Sequence, residues 1–252
     1  MAFLLLPLRL LYVAYAFLIF FILMLLVFLW TLMVLPFGRI RGGNLVYYGC
    51  VAWSKVWLSL VFIRHRNIHI RPREDDQAYI YVANHISYLD AALIPSVFTH
   101  PVRALGKVEM TKVPFFGFIY KNAIVTVDRS SPQNRARSVE LLKSILRKGI
   151  SILVFPEGTF NLTHKPLKHF YDGAFRVAIE TGTPVKPVLI LDAYDRMHYR
   201  SIFTLNPGRS RAVFLPAIPV DSYTIHDIAQ LKQKVHDIME KELIKYRVSW
   251  IG

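Results

Sequence analysis

Ala83-Asn84-His85-Ile86-Ser87-Tyr88-Leu89-Asp90 places an imidazole five residues ahead of a carboxylate. A carboxylate on one ring nitrogen fixes the tautomer and leaves the other nitrogen able to accept a proton, which is what a general base requires. On a regular helix that spacing would separate the two side chains by ~140°. The pair can meet only if His85 lies outside the helix that carries Asp90 and folds back onto it. The flanks allow this, because Tyr79 to Val82 reads as a strand and Tyr88 to Val97 has a helical apolar pattern. Ser87 followed by Asp90 is a capping-box pattern, so a helix is predicted from Ser87. These residues also fit a plainer arrangement, with Asp90 only a helix cap and His85 only a loop residue bonded to backbone.

A second stretch, Phe155-Pro156-Glu157-Gly158-Thr159, leaves the buried-strand pattern Ile150 to Phe155. Ligands in open α/β sheets bind where strands end. His85, Asp90, Glu157 and Thr159 all fall at strand-to-connection junctions, which argues for one shared site.

The elements that must position these residues alternate from about residue 68. Candidate strands are Ile68–Ile70, Tyr79–Val82, Val102–Leu105, Ala123–Val127, Ile150–Phe155, Val185–Leu191 and Arg211–Leu215. Candidate helices are Tyr88–Val97, Asn134–Arg147, Gly173–Thr181 and Ile225–Tyr246, the last with its own box in Thr224 and Asp227. The pattern predicts an α/β fold, a layered mixed or mostly parallel sheet with flanking helices. There is no G-x-S-x-G elbow, Walker loop or C-x-x-C, which removes several common chemistries. His164 and His169, with two lysines between them, are not a convincing metal pair, and no metal is expected.

The N-terminal part has a different composition. No charged residue lies between Arg9 and Arg39, and Leu10 to Leu35 would make a helix ~39 Å long against a hydrocarbon core of ~30 Å. The run is too long for a signal-peptide core and ends at Pro36-Phe37-Gly38, so it is read as a retained membrane segment. Asn44 to Ile63 is a second apolar stretch, broken by Lys55 and carrying Tyr47, Tyr48, Trp53 and Trp57, which suits an interfacial or re-entrant helix. The two segments are expected to form a membrane hairpin, or a span followed by a surface helix.

A net charge of +14 points to an anionic partner, and the membrane segment favours acidic lipid over nucleic acid. No aromatic-basic nucleic-acid module is visible. Arg39 and Arg41 fit a cytoplasmic side after the first segment. Arg64-His65-Arg66 and Arg71-Pro72-Arg73 fit either lipid headgroups or a solvated face. The single Cys50 excludes an intrachain disulfide and, in its apolar setting, is read as filler rather than a nucleophile.

The two motif stretches together resemble the glycerolipid acyltransferase family, over roughly residues 70 to 215. Asn84-His85 through Asp90 matches its H-x4-D block, and Phe155 to Thr159 matches its F-P-E-G-T block. Phe115-Phe116-Gly117 with Val127-Asp128-Arg129 looks like the second block, Lys107-Val108-Glu109 like a K-x-E element, and Pro184 to Val188 like the fourth. This sequence departs from the pattern at Ala123, where glycine is usual, at Phe160, where arginine usually follows E-G-T, and at Tyr171, where lysine is common.

The resemblance implies acyl transfer from a thioester, carried by coenzyme A or acyl carrier protein, to a lysophospholipid hydroxyl. His85 would be the general base and Asp90 its orienting partner. Lys107 and Arg129 would hold the acceptor phosphate. Glu157 would hold Arg129 or the turn in place, while Gly158 and Thr159 offer donors. No metal or organic cofactor is implied. Residues 1–63 are then read as membrane-anchoring helices, and 64–252 as the catalytic domain on the cytoplasmic face. Two alternatives are an acyltransferase of the same fold acting on another lysolipid or amino-acid lipid, and a non-catalytic basic membrane-tethered binding protein.

Overall fold

The computed structural model describes residues 2–71, 77–127 and 132–251. The chain opens with helix α1 (Ala2–Val34), turns through a 3-10 segment (Leu35–Phe37) and returns as α2 (Gly38–Leu60). Gly38 makes the reversal possible by adopting φ +78°, a left-handed conformation that L side chains rarely adopt. The helices run antiparallel: the Tyr12 hydroxyl donates to Val61 O at 2.7 Å, Trp57 Nε1 to Ala16 O at 2.9 Å, and Trp30 Nε1 to Leu45 O at 2.8 Å. A hairpin is therefore what forms.

α1 is long and apolar enough to cross a membrane. Val13, Ala16, Met24, Val27, Thr31 and Val34 form its buried stripe, while Leu11, Leu18, Phe21, Leu25, Leu26, Leu29 and Met33 remain exposed. Of the four aromatic residues of α2, expected from the sequence at an interface, two behave differently, while Tyr48 stays exposed. Tyr47 and Trp57 are buried in the main core, and the Tyr47 hydroxyl donates to Phe98 O at 2.9 Å. A helix rich in Trp and Tyr has the same hydropathy whether its rings meet lipid or protein, so composition could not separate the two.

Among the described residues, seven strands form one sheet: β1 (Ile63–His69), β2 (Ile80–Ala83), β3 (Val102–Lys107), β4 (Val125–Val127), β5 (Ser151–Val154), β6 (Val185–Ile190) and β7 (Gly208–Phe214). Their order is β1-β7-β6-β2-β5-β3-β4, and every neighbouring pair is parallel except β6 with β7. The central strands β2, β5 and β6 are buried along their whole length, which is why they read as unbroken apolar runs rather than alternating ones. The connecting helices are α3 (Asp90–Val97), α4 (Phe116–Ala123), α5 (Pro132–Leu146), α6 (Gly173–Thr181), α7 (Ala193–Arg196) and α8 (Ile228–Lys245). The hairpin packs with α3 and α4, while α5, α6 and α8 pack together as a separate layer.

Of the boundaries that differ from the sequence expectation, three stand out. Ala123 ends helix α4 rather than opening a strand, and α4 itself was not foreseen, because Phe116–Ala123 is short and rich in aromatics. The first strand begins at Ile63 and is longer than Ile68–Ile70, because its partner is the distant β7 and its Arg64 and Arg66 lie exposed at the sheet edge. The third concerns α3, described with the site.

Two polar locks tie distant elements together. Ser54 Oγ on α2 donates to Ala92 O at 2.5 Å and lies 2.6 Å from Ser96 Oγ, all buried. Asn84 at the end of β2 donates to Ile190 O at 3.0 Å and accepts from Ile190 N at 2.8 Å, binding the ends of β2 and β6. Asn84→Ala leaves both Ile190 groups buried without partners, each costing about 1–3 kcal/mol. A drop of that order in unfolding free energy, measured by denaturant titration, is the expected outcome.

Candidate active site

His85 follows β2, Glu157 follows β5 and Lys107 ends β3, so the functional side chains gather at the C-terminal ends of adjacent parallel strands. His85 Nδ1 lies 2.8 Å from Asp90 Oδ2, with the His85 side chain 23% exposed and Asp90 fully buried. A carboxylate only accepts, so the ring donates from Nδ1 and the lone pair sits on Nε2. Nε2 has no hydrogen-bond partner among the described residues.

The predicted helix start at Ser87 moves to Asp90. The same Asp90 oxygen also accepts from Ile86 N at 2.9 Å and Ser87 N at 3.1 Å. Those two amides face the carboxylate, and residues 86–89 form a turn instead of a first helical turn. Only half of the expected capping box survives: Asp90 caps Ser87 N, but Ser87 Oγ accepts from Leu89 N and donates to Met197 O. The Ser87 hydroxyl is thereby committed to structure and is not placed as a nucleophile. Asp90 both caps the turn and holds the imidazole, so the arrangement in which it is only a cap does not form.

Glu157 is buried, and its two oxygens accept from the backbone N–H groups of His85 (3.0 Å) and Lys168 (2.9 Å). It holds the turn in place, one of the two roles expected of it. Burial raises its pKa from the usual 4.5 to about 7, against the lowering effect of the two N–H bonds. Gly158 N–H closes the turn onto Phe155 O at 3.1 Å, so this donor, expected to face substrate, is already used. Thr159 is exposed; its Oγ1 accepts from Lys168 Nζ at 2.6 Å, and its N–H has no partner among the described residues. Lys107 is exposed at the same edge, with β5 between β2 and β3, about 10 Å across at the usual strand spacing. Arg129 lies outside the described residues.

Several residues shape the site through contacts that the sequence did not show. Phe155 stacks on the His85 ring (centroids 4.2 Å apart, 20° between planes), and Phe160 meets it edge-on at 4.4 Å, itself held by Tyr88 at 4.8 Å. Asn161 is buried and donates its backbone N–H to His85 O at 2.8 Å, while its side chain makes an Asx turn with Thr163. The signal for that turn was present in Asn161-Leu162-Thr163. Asp192 grips Arg211 with both oxygens at 2.8 and 2.9 Å, fixing the loop that supplies Met197 O. His236, Asp237 and Glu240 on α8 bring ligand-type atoms within 4.8 Å of one another, but not at the His85 turn.

Residues 63–191 match the model of a family described as Acyltransferase. The chain belongs to the acyltransferase family. It is 27% identical over 213 residues to the 1-acyl-sn-glycerol-3-phosphate acyltransferase of Limnanthes douglasii, covering 82% of this chain and 72% of that protein. The enzyme of the same name from Escherichia coli is 28% identical over 181 residues, covering 70% and 72%. The crystal structure of the Thermotoga maritima 1-acyl-sn-glycerophosphate (LPA) acyltransferase superposes with a TM-score of 0.75 at 21% identity, over 97% of this acyltransferase and 98% of that chain. The fold is therefore shared from end to end, hairpin included.

The raised pKa of Glu157 fixes the sign of a pH effect. An unfolded carboxyl ionises near 4.5 and the folded one near 7, so stability falls as pH rises between those values, by up to ~3 kcal/mol. In Glu157→Gln this part of the pH slope should disappear in unfolding titrations at pH 5 and pH 8. The amide also presents N–H to one of the two backbone donors, so turnover should fall together with stability.

Proposed function

We propose that this acyltransferase moves a fatty acyl group from a thioester to the sn-2 hydroxyl of lysophosphatidic acid, making phosphatidic acid. The observation that carries the reading is the 2.8 Å His85–Asp90 pair with its outer ring nitrogen unpartnered among the described residues, at a strand end of this fold. Nε2 takes the hydroxyl proton as oxygen attacks the thioester carbonyl. The C–S bond breaks, and the imidazolium returns the proton to the leaving thiolate. Asp90 stabilises the imidazolium meanwhile. A thioester is already activated, so no covalent enzyme intermediate, metal or organic cofactor is called for.

Lys107 and Arg129 hold the acceptor phosphate in this reading, with Thr159 N–H as a further donor. Lys168 is tied to Thr159, its Nζ donating to Oγ1. The hairpin, residues 1–63, anchors residues 64–252 to a membrane, with the catalytic domain on its cytoplasmic face. The donor is an acyl thioester of coenzyme A or acyl carrier protein.

A labelled thioester and lysophosphatidic acid should give labelled phosphatidic acid with the wild type. His85→Ala should lower turnover by ~10²–10⁴-fold. Near-wild-type turnover by folded His85→Ala would remove the base from the mechanism. Arg129→Ala should raise the acceptor KM, and a fall in kcat alone would remove its phosphate role.

One observation favours a second acceptor. Phe160 and Tyr88 form an aromatic wall beside His85 where a cation would otherwise meet phosphate. Turnover confined to a lysolipid with a different headgroup, in a panel matched for acyl chain, would support that reading over lysophosphatidic acid.

A further inference from the structure

The connection from β3 to α4 exposes more apolar surface than its tight geometry requires. Val108 (36%), Met110 (40%), Val113 (42%) and Phe115 (52%) all face outward within eight residues. This is a built element. Thr111 Oγ1 donates to Val108 O at 2.7 Å, Gly117 N donates to Val113 O at 2.7 Å, and a Cβ on Gly117 would stand 2.2 Å from Thr111 O. Phe115 adopts φ +57°, a region bulky side chains avoid, and its ring meets Phe28 of α1 edge-on at 5.2 Å. Phe28 also touches Phe118 at 5.4 Å. Around Phe28 on α1, Leu25, Leu26, Leu29, Leu32 and Met33 are exposed, so the segment continues that apolar surface.

We propose that Val108–Phe115 is a second lipid-contacting element, which with the outer face of α1 seats the catalytic edge of the sheet on an anionic leaflet. Its ends place it well. It begins directly after Lys107, at the same sheet edge as the His85 turn, and finishes against α1. Exposed Lys107 and Lys112 flank or punctuate the apolar side chains, with Glu109 the one acidic residue of the segment. Apolar side chains ringed by cations suit the boundary between acyl chains and acidic headgroups. Continuity with α1 favours a bilayer over a folded partner, whose contact would end at the segment. The acceptor would then pass from the leaflet to His85 across this lip without crossing water.

The proposal rests on α1 lying against a membrane, and the test separates the two. The full chain, with Cys50→Ala, carries one environment-sensitive fluorophore through Met110→Cys, Val113→Cys, Leu25→Cys or, as a control, Lys241→Cys on α8. Each is mixed with vesicles of phosphatidylcholine and phosphatidylglycerol. Blue-shifted emission at positions 110, 113 and 25 but not 241 is expected. A shift at 25 alone overturns the proposal and leaves the hairpin reading intact; no shift anywhere overturns both. A shift at 110 and 113 produced by an acidic carrier protein and not by vesicles also overturns it. As a second arm, Met110→Asp combined with Val113→Asp should raise the KM for vesicle-embedded acceptor by on the order of tenfold. Turnover of a monomeric short-chain acceptor should stay unchanged, and equal losses on both acceptors would overturn the proposal.

Discussion

One carboxylate oxygen, Asp90 Oδ2, accepts from an imidazole and two backbone amides at 2.8, 2.9 and 3.1 Å. Three donors on one buried oxygen satisfy it without a cationic side chain, and fix where the chain turns after β2. A helix beginning at Ser87 would aim these amides elsewhere and carry His85 away from its partner. The position of the His85 ring, the late start of α3 and the commitment of Ser87 to Met197 O all follow from satisfying this oxygen.

The same economy of backbone donors governs the next strand. Glu157 spans the gap between the turn after β2 and the segment before α6, bonding one amide of each. A buried carboxylate with no ion pair among the described residues is costly, and its burial raises its pKa. The site tolerates that cost because the alternative is two buried amides without acceptors. Around the polar frame, Phe155 and Phe160 enclose the His85 ring on two sides. Their packing leaves part of the imidazole open.

The two helices of the hairpin divide their apolar surface differently. α2 enters the core through Tyr47, Val51, Trp57 and Leu58, and is clasped to α3 by Ser54. α1 lies outside it with one stripe satisfied and a broad apolar face exposed. The hairpin thus meets the sheet on one side only, and its outer side is apolar.

Local chemistry made much of this legible in the sequence. The alternation of β-branched runs with helical periodicity gave the α/β layers, because buried parallel strands admit only apolar residues. The two motif stretches marked the strand ends, since His, Asp and Glu are rarely spent there without partners. The 26-residue uncharged stretch Leu10 to Leu35 marked a helix that water alone does not explain. What only the tertiary structure decided are relations between residues far apart in the chain. Glu157 meets the amide of His85 across 72 positions, and Asn84 meets Ile190 across 106. β1 finds β7 rather than β2, and the Tyr47 and Trp57 rings of α2 face protein. Periodicity reports which residues avoid water; it carries no term for what they touch instead, and that choice was made by packing.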